Sequence, residues 1–161
     1  MIFVTLGSQK FQFNRLLKKI DELIDKGVIN EKVFAQSGYS DYIPKCYEYK
    51  QFLDRDEFSD LIEKCDMVIT HGGTGVIINA VKKGKKVIAA PRLARFGEHV
   101  DDHQLQLLDQ FKEMNMIESC YDIDSLENSY ITAQNKTYNS YSSNTQVIID
   151  DIEKYIAGIR K

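Results

Sequence analysis

Residues 67–75 read MVITHGGTG. The first four are a short apolar run of the kind that forms a buried strand. A histidine, three glycines and a threonine then lead into a helical pattern at Val76, Ile77, Ala80 and Val81, closed by Gly84. A strand that enters a helix through glycine has two physical readings. The chain needs only a tight turn with positive φ, which glycine supplies. Alternatively a ligand approaches the backbone, and free N–H groups at a helix start, with the positive end of the helix dipole, suit a phosphate. The pattern is neither GxGxxG nor a P-loop, so it gives no dinucleotide or ATPase fingerprint.

Working outward, the same alternation recurs. IFVTL (2–6) precedes Gly7 and a helix carrying Phe13, Leu16, Leu17, Ile20, Leu23 and Ile24, with Gly27 past its end. KVFAQ (32–36) and YEYKQFL (47–53) read as strands, and Asp54 or Asp56 as the cap of a helix with Phe58, Leu61 and Ile62. KVIAAP (86–91), a helix with Leu105, Leu107, Leu108 and Phe111, and a last strand in MNMIES (114–119) follow. Strands alternating with helices predict an α/β fold, a Rossmann-like parallel sheet with helices on both faces. The domain is read as 1–133, followed by a polar linker (134–145, QNKTYNSYSSNT) and a C-terminal helix (146–161) with a stripe of Val147, Ile148, Ile152, Tyr155 and Ile156. That helix packs on the domain or docks on a partner.

Composition narrows the classes. With 161 residues, 43% hydrophobic and 28% charged, the chain is an ordinary globular domain. A net charge of −3 offers no general attraction to nucleic acid, and none is expected as a partner. No apolar run reaches the roughly 18–20 residues of a membrane span, and MIFVTLGSQ lacks the marks of a signal peptide. Cys46, Cys65 and Cys120 are odd in number and unpaired by spacing. The expectation is a cytoplasmic protein.

Ligands of an open parallel sheet bind at the carboxyl edge of the strands. Four glycine-bearing loops fall there: GSQKF, SGYSD, HGGTG and PRLARFGEH. By contrast KKGKK (82–86) lies on the opposite edge, where its lysines complement a helix C-terminus. GEHVDDHQ (97–104) is the other dense stretch. Read as helix, it puts His99 and His103 on one face, but without the HExxH order and with no third ligand in step, so no metal is expected. It reads either as a solvated helix start or as a polar cluster, with His103 and Gln104, suited to sugar hydroxyls.

The succession MIFVTLGSQKFQFNRLL, VFAQSGYSD, FLDRDEFSDLIEKCDMVITHGGTG and GKKVIAAPRLARFGEHVDDHQLQL resembles the C-terminal, donor-binding half of family 28 glycosyltransferases over residues 1 to about 120. The likeness extends to small exopolysaccharide and capsule subunits of the PssE type, similar in turn to the catalytic subunit of the eukaryotic two-component transferase of dolichol-linked GlcNAc. It implies a single GT-B half-domain that binds a UDP-sugar and inverts the anomeric carbon, with no cofactor or metal. By the resemblance, Gly7 and Ser8 lie near the diphosphate, and Ser37, Gly38 and Phe52 border the uridine. His71, Gly72, Gly73, Thr74 and Gly75 hold phosphate, and His103 and Gln104 reach the sugar. Arg92 or Arg95 would offset charge on the leaving UDP. Where relatives carry a ribose-gripping glutamate, this chain has Asn79, which bonds without a carboxylate's charge. The catalytic base is unassigned among His71, Glu98 and His99.

The expected function is the catalytic donor-binding subunit of a two-component transferase. It would move galactose or an N-acetylhexosamine to a polyprenyl-diphosphate-linked saccharide in exopolysaccharide or capsule synthesis. A membrane-anchored acceptor-binding subunit would complete it and hold it at the inner face of the plasma membrane. The competing readings are a non-catalytic nucleotide-sugar-binding regulatory subunit and a metal hydrolase using His99 and His103.

Overall fold

The computed structural model describes residues 1–142. In chain order these form β1 (Ile2–Thr5), α1 (Asn14–Asp25), β2 (Val33–Gln36), β3 (Glu48–Lys50), α2 (Arg55–Lys64), β4 (Met67–His71), α3 (Thr74–Lys82), β5 (Lys86–Ala90), α4 (His103–Glu113), β6 (Glu118–Ser119) and α5 (Leu126–Asn135). Every strand pairing is parallel, in the order β3-β2-β1-β4-β5-β6.

Period-two alternation divides the core into two layers. Ile2, Val4, Met67 and Ile69 face one way, onto Leu16, Leu17, Ile20 and Leu23 of α1 and Leu126, Tyr130 and Ala133 of α5. Phe3, Val68, Val87 and Ala89 face the other way, onto Ile62 of α2, Ile77, Ala80 and Val81 of α3, and Leu108 of α4. A parallel sheet covered on both faces needs apolar residues at nearly every strand position, hence the continuous runs in the sequence.

Two expectations at the C-terminal end need correction. Helix α5 is not anticipated from the sequence, although Leu126, Tyr130 and Ala133 recur at helical spacing. MNMIES is mostly not strand: α4 ends at Met114, Asn115 takes φ 51°, which asparagine tolerates, and pairing is limited to Glu118 and Ser119. Beyond α5, Asn139 donates from its backbone to Asn115 O at 2.8 Å and from its side chain to Met114 O at 2.9 Å. The expected helix over 146–161 lies outside the described residues.

On the amino edge, the KKGKK lysines are engaged by the scaffold. Lys83 pairs with Glu63 at 2.7 Å, Lys85 donates to Glu63 O at 2.7 Å, Lys86 donates to Gln134 O, and Lys82 lies over the Tyr141 ring. Helix α2 resolves the choice of cap. The Asp54 carboxylate accepts from the Glu57 N–H at 2.8 Å, while the Glu57 carboxylate accepts from the Asp54 N–H at 3.1 Å. Asp54→Ala is expected to cost about 1 kcal/mol in urea unfolding. Asp56→Ala, which removes no cap, should change stability by less than roughly 0.5 kcal/mol.

Candidate functional site

The strand order reverses between β1 and β4, the neighbours from which the sheet is wound in opposite directions. The loops leaving their carboxyl ends therefore diverge over a crevice. Thr70 Oγ1 donates to Thr5 O at 2.7 Å and locks the two strand ends together.

His71 is the last residue of β4 and is buried beneath these loops. Its imidazole lies so close to two glycines that a Cβ on Gly7 would sit 2.8 Å from its Nε2 and one on Gly73 would sit 2.2 Å from its Cε1. Gly72 is crowded from the other side, where a Cβ would meet Gln104 Cβ and Leu108 Cδ1, both at 2.7 Å. Of the glycines in HGGTG none takes a positive φ; Gly7 (71°) and Gly38 (56°) do. The turn-conformation reading of HGGTG therefore fails, and close packing explains Gly72 and Gly73. Gly75 is different. It sits in the first turn of α3 with nothing within 4 Å of where its Cβ would be.

That first turn is open in a second respect. Gly73 caps α3 without any side-chain hydrogen bond, and the Gly73 carbonyl first accepts from Ile77 N–H. The N–H groups of Thr74, Gly75 and Val76 thus have no acceptor within the helix. Thr74 and Gly75 are exposed. An anion can reach this uncapped helix start past a residue with no side chain.

Gln104, expected to reach a sugar, is spent on the scaffold. Its Oε1 accepts from Gly72 N–H and from Arg92 N–H, each at 3.0 Å, and its Nε2 lies 3.4 Å from His71 Nδ1. One amide thereby fixes the loops after β4 and β5 and orients the imidazole. Burial, with Arg92 and His99 nearby, lowers the His71 pKa from 6.5 to about 3. A neutral imidazole with so low a pKa is a poor base, so His71 acts by position.

Arg92 and Glu98 are corrections of the same kind. Arg92 is fully buried, and its Nη2 donates to Leu6 O at 2.8 Å and Phe11 O at 3.1 Å, tying the loop after β5 to the loop after β1. Burial lowers its pKa to about 10, opposed by Glu98, and it stays charged at neutral pH. It does not face the crevice surface where a leaving phosphate would sit; Arg95, exposed over the Phe96 ring, is the solvent-facing cation of this loop. The Glu98 carboxylate is 1% exposed and bonded through both oxygens, to Arg15 Nε at 2.6 Å and Arg15 Nη2 at 3.0 Å, with Leu93 N–H also donating to it. A carboxylate so engaged holds α1 against the loop after β5 and is not free to take a proton from an acceptor.

The stretch before Gln104 is not helical as expected. Helix α4 starts at His103, and Gly97 takes φ 66° in the preceding loop. His99 and His103 are nevertheless brought together, with ring centroids 4.8 Å apart, and His99 packs on Phe11 at 4.9 Å. The bent loop also supplies the group that helical spacing concealed: Asp101 lies between them and hydrogen-bonds His103 Nδ1. This bond holds the Asp101 carboxyl below its ordinary pKa.

The other side of the crevice is formed by the loops after β2 and β3. Gly38 packs on Gly7, whose carbonyl oxygen would be 2.8 Å from a Cβ at position 38. Ser37 and Gly38 donate backbone bonds to Lys50 O and Gln51 O. Exposed Phe52 stacks edge-on with Tyr39 at 5.2 Å, an aromatic pair in which Tyr39 had no sequence signal of its own. Ser8 is exposed beside Gly7, and Asn79 is half-buried on α3. A cavity of about 330 Å³ beside α1, lined in part by Lys18, Lys19, Arg95 and Asp124, includes no residue of the GSQKF, SGYSD or HGGTG loops.

These contacts separate the glycines by role. Gly72→Ala and Gly73→Ala should each destabilise the protein by about 1–3 kcal/mol in urea unfolding, because His71 and Gln104 have no room to move. Gly75→Ala should be neutral or stabilising by up to roughly 1 kcal/mol, since alanine is the better helix former and the site is open.

Comparisons with known proteins agree with this architecture. Residues 1–156 match the glycosyltransferase family 28 C-terminal domain. Over 96 residues the chain is 31% identical to the UDP-N-acetylglucosamine transferase subunit ALG13 of Kluyveromyces lactis, a match covering 52% of this chain and 47%, about half, of that protein. In fold it is similar to the solution structure of ALG13, at a TM-score of 0.58 and 19% identity over 94% of this chain and 93% of that one. It is also similar to Acinetobacter baumannii MurG, at 0.57 and 16% identity, over 94% of this chain but 49% of MurG. At such identities the structural likenesses speak for the fold alone: this chain has the size and layout of one half of a GT-B enzyme. The chain belongs to the glycosyltransferase family 28 C-terminal domain family.

Proposed function

We propose that this chain is the donor-binding, catalytic subunit of an inverting two-component glycosyltransferase that moves a sugar from a UDP-sugar to a lipid-linked saccharide. The observation that carries the reading is the uncapped start of α3 at Thr74–Gly75, opening on the crevice where the strand order reverses. The N–H groups of Thr74, Gly75 and Val76 suit the diphosphate. The Tyr39–Phe52 pair, with the backbone at Ser37 and Gly38, suits the uracil and ribose. When the bond to the anomeric carbon breaks, negative charge develops on the β-phosphate, and N–H dipoles already aimed at it lower the barrier without reorganising. Arg95, the exposed cation of the loop after β5, would add to them. The acceptor oxygen attacks from the opposite face and gives its proton to a base that neither His71 nor Glu98 supplies.

Of the candidate bases that leaves His99, or a group supplied by a partner subunit. A membrane-anchored partner would contribute the acceptor site and bring the chain to the inner face of the plasma membrane, with a polyprenyl-diphosphate saccharide as acceptor. Among the described residues no helix is long and apolar enough to cross a membrane. Likeness to PssE-type subunits supports a role in exopolysaccharide or capsule synthesis with galactose as donor. The relation to a UDP-N-acetylglucosamine transferase subunit keeps an N-acetylhexosamine as the other choice. Asn79, which lacks a carboxylate's grip on the ribose, supports a second reading, a nucleotide-sugar-binding subunit without turnover.

Calorimetry with UDP tests the first step, and binding unchanged by EDTA is expected. Gly75→Asp should abolish it, by at least about tenfold, while leaving the fold intact, since an acidic residue suits a helix start but repels a diphosphate. Absence of UDP binding to the folded wild type would sink the proposal. Turnover of a UDP-sugar on adding the acceptor subunit separates the catalytic reading from the regulatory one.

A further inference from the structure

The loop that opens α4 gathers three metal-ligating side chains, one of which, His103, is also expected to reach the donor sugar. One ligand atom each from His99, Asp101 and His103 can be chosen so that all lie within 4.8 Å of one another, the one such cluster among the described residues. His99 Nδ1 lies 3.3 Å from Asp101 Oδ1, and the same oxygen is bonded to His103 Nδ1. His99 Nδ1 also lies 3.5 Å from the Asp101 N–H, placed to accept from it. The three groups thus converge on the Asp101 carboxylate, with both imidazole Nδ1 atoms turned towards it. Packing holds the set in place: His99 lies between Phe11 and His103.

We infer that His99, Asp101 and His103 form a binding site for a borderline-soft divalent cation, zinc above all. Zinc takes imidazole nitrogen and carboxylate oxygen at about 2.0–2.2 Å, so its ligand atoms sit roughly 3–3.5 Å apart. With His99 Nδ1 already 3.3 Å from Asp101 Oδ1 and all three ligand atoms within 4.8 Å of one another, the triangle closes with shifts on the order of 1 Å. Two nitrogens and one oxygen argue against magnesium and calcium, which prefer oxygen alone. Three protein ligands leave a position open to water or to an anionic group of a ligand. The site is distinct in chemistry from the α3 helix start, so zinc binding and UDP binding are tested separately.

The placement gives the metal a structural consequence. His103 is the first residue of α4, and the next residue, Gln104, holds the N–H groups of Gly72 and Arg92. A cation clamped at 99–103 would fix the start of α4, and through it the amide on which the glycine loop rests. Zinc should therefore raise the melting temperature as well as bind.

The test is titration of the full chain with zinc chloride, without nucleotide, in a non-chelating buffer. One equivalent is expected to bind and to raise Tm. His99→Ala, Asp101→Asn and His103→Ala should each weaken binding by about tenfold or more, with unchanged far-UV circular dichroism. Cys46 is the one exposed cysteine, so Cys46→Ser should leave binding as it was. Cobalt in place of zinc should give visible d–d bands without a thiolate charge-transfer band, and magnesium should not compete. No zinc binding by the wild type overturns the inference, meaning that a proton alone occupies the gap. So does binding that survives all three substitutions, or binding lost with Cys46→Ser.

Discussion

A neutral imidazole wedged between two glycines is the contact on which this crevice depends. The His71 ring fills the space between Gly7 and Gly73, so the loops after β1 and β4 meet through one side chain. Neither glycine can acquire a Cβ without displacing the ring. The ring in turn is oriented by Gln104, whose single carbonyl oxygen also receives the backbone of Gly72 and Arg92. Arg92 extends the same lattice to Leu6 and Phe11, and Glu98 extends it to Arg15 on α1. Several of the most chemistry-bearing side chains of the carboxyl edge are thus structural. What they build is a rigid rim that leaves the start of α3 uncovered.

This division of labour bears on what the protein can do alone. Buried polar groups bonded into a rim are costly to disturb, although Arg92 keeps Nε and Nη1 without a partner among the described residues. The bonded rim holds the N–H groups of the α3 start in a fixed direction. Preorganised dipoles are suited to a charge that develops late, on a leaving diphosphate. They do not activate a nucleophile. Two of the three candidate bases, His71 and Glu98, are held respectively neutral and ion-paired. Among these groups the rim therefore offers dipoles for an anion and no free base, in keeping with the donor-binding role proposed above.

Most of the layout was legible in the sequence because a doubly covered parallel sheet imposes continuous apolar strands, and glycine marks the loops between them. The alternation of strands and helices and the sorting of loops to the carboxyl edge follow from that pattern, whereas the strand order β3-β2-β1-β4-β5-β6 has no signal of its own in the sequence. Roles inside the crevice were far less legible. Sequence distinguishes residue types, not which way a side chain turns, so Gln104 and Arg92 looked like ligand contacts when they bond the backbone beneath. Asp101 was hidden because a helical reading of 97–104 points it away from His99 and His103. The chain bends there instead, at Gly97, and brings all three together. Helix α5 was missed because its polar residues dilute a three-residue apolar stripe.

The central claim is that the start of α3 and the loops after β1 and β2 bind the nucleotide. Amide chemical-shift mapping of the labelled chain during titration with UDP tests it most directly. Saturable shifts concentrated at Gly7, Ser8, Ser37, Gly38 and Gly72–Val76 are the expected result. Shifts confined to the cavity beside α1, around Lys18, Lys19 and Asp124, or to the lysines of 82–86, would contradict it.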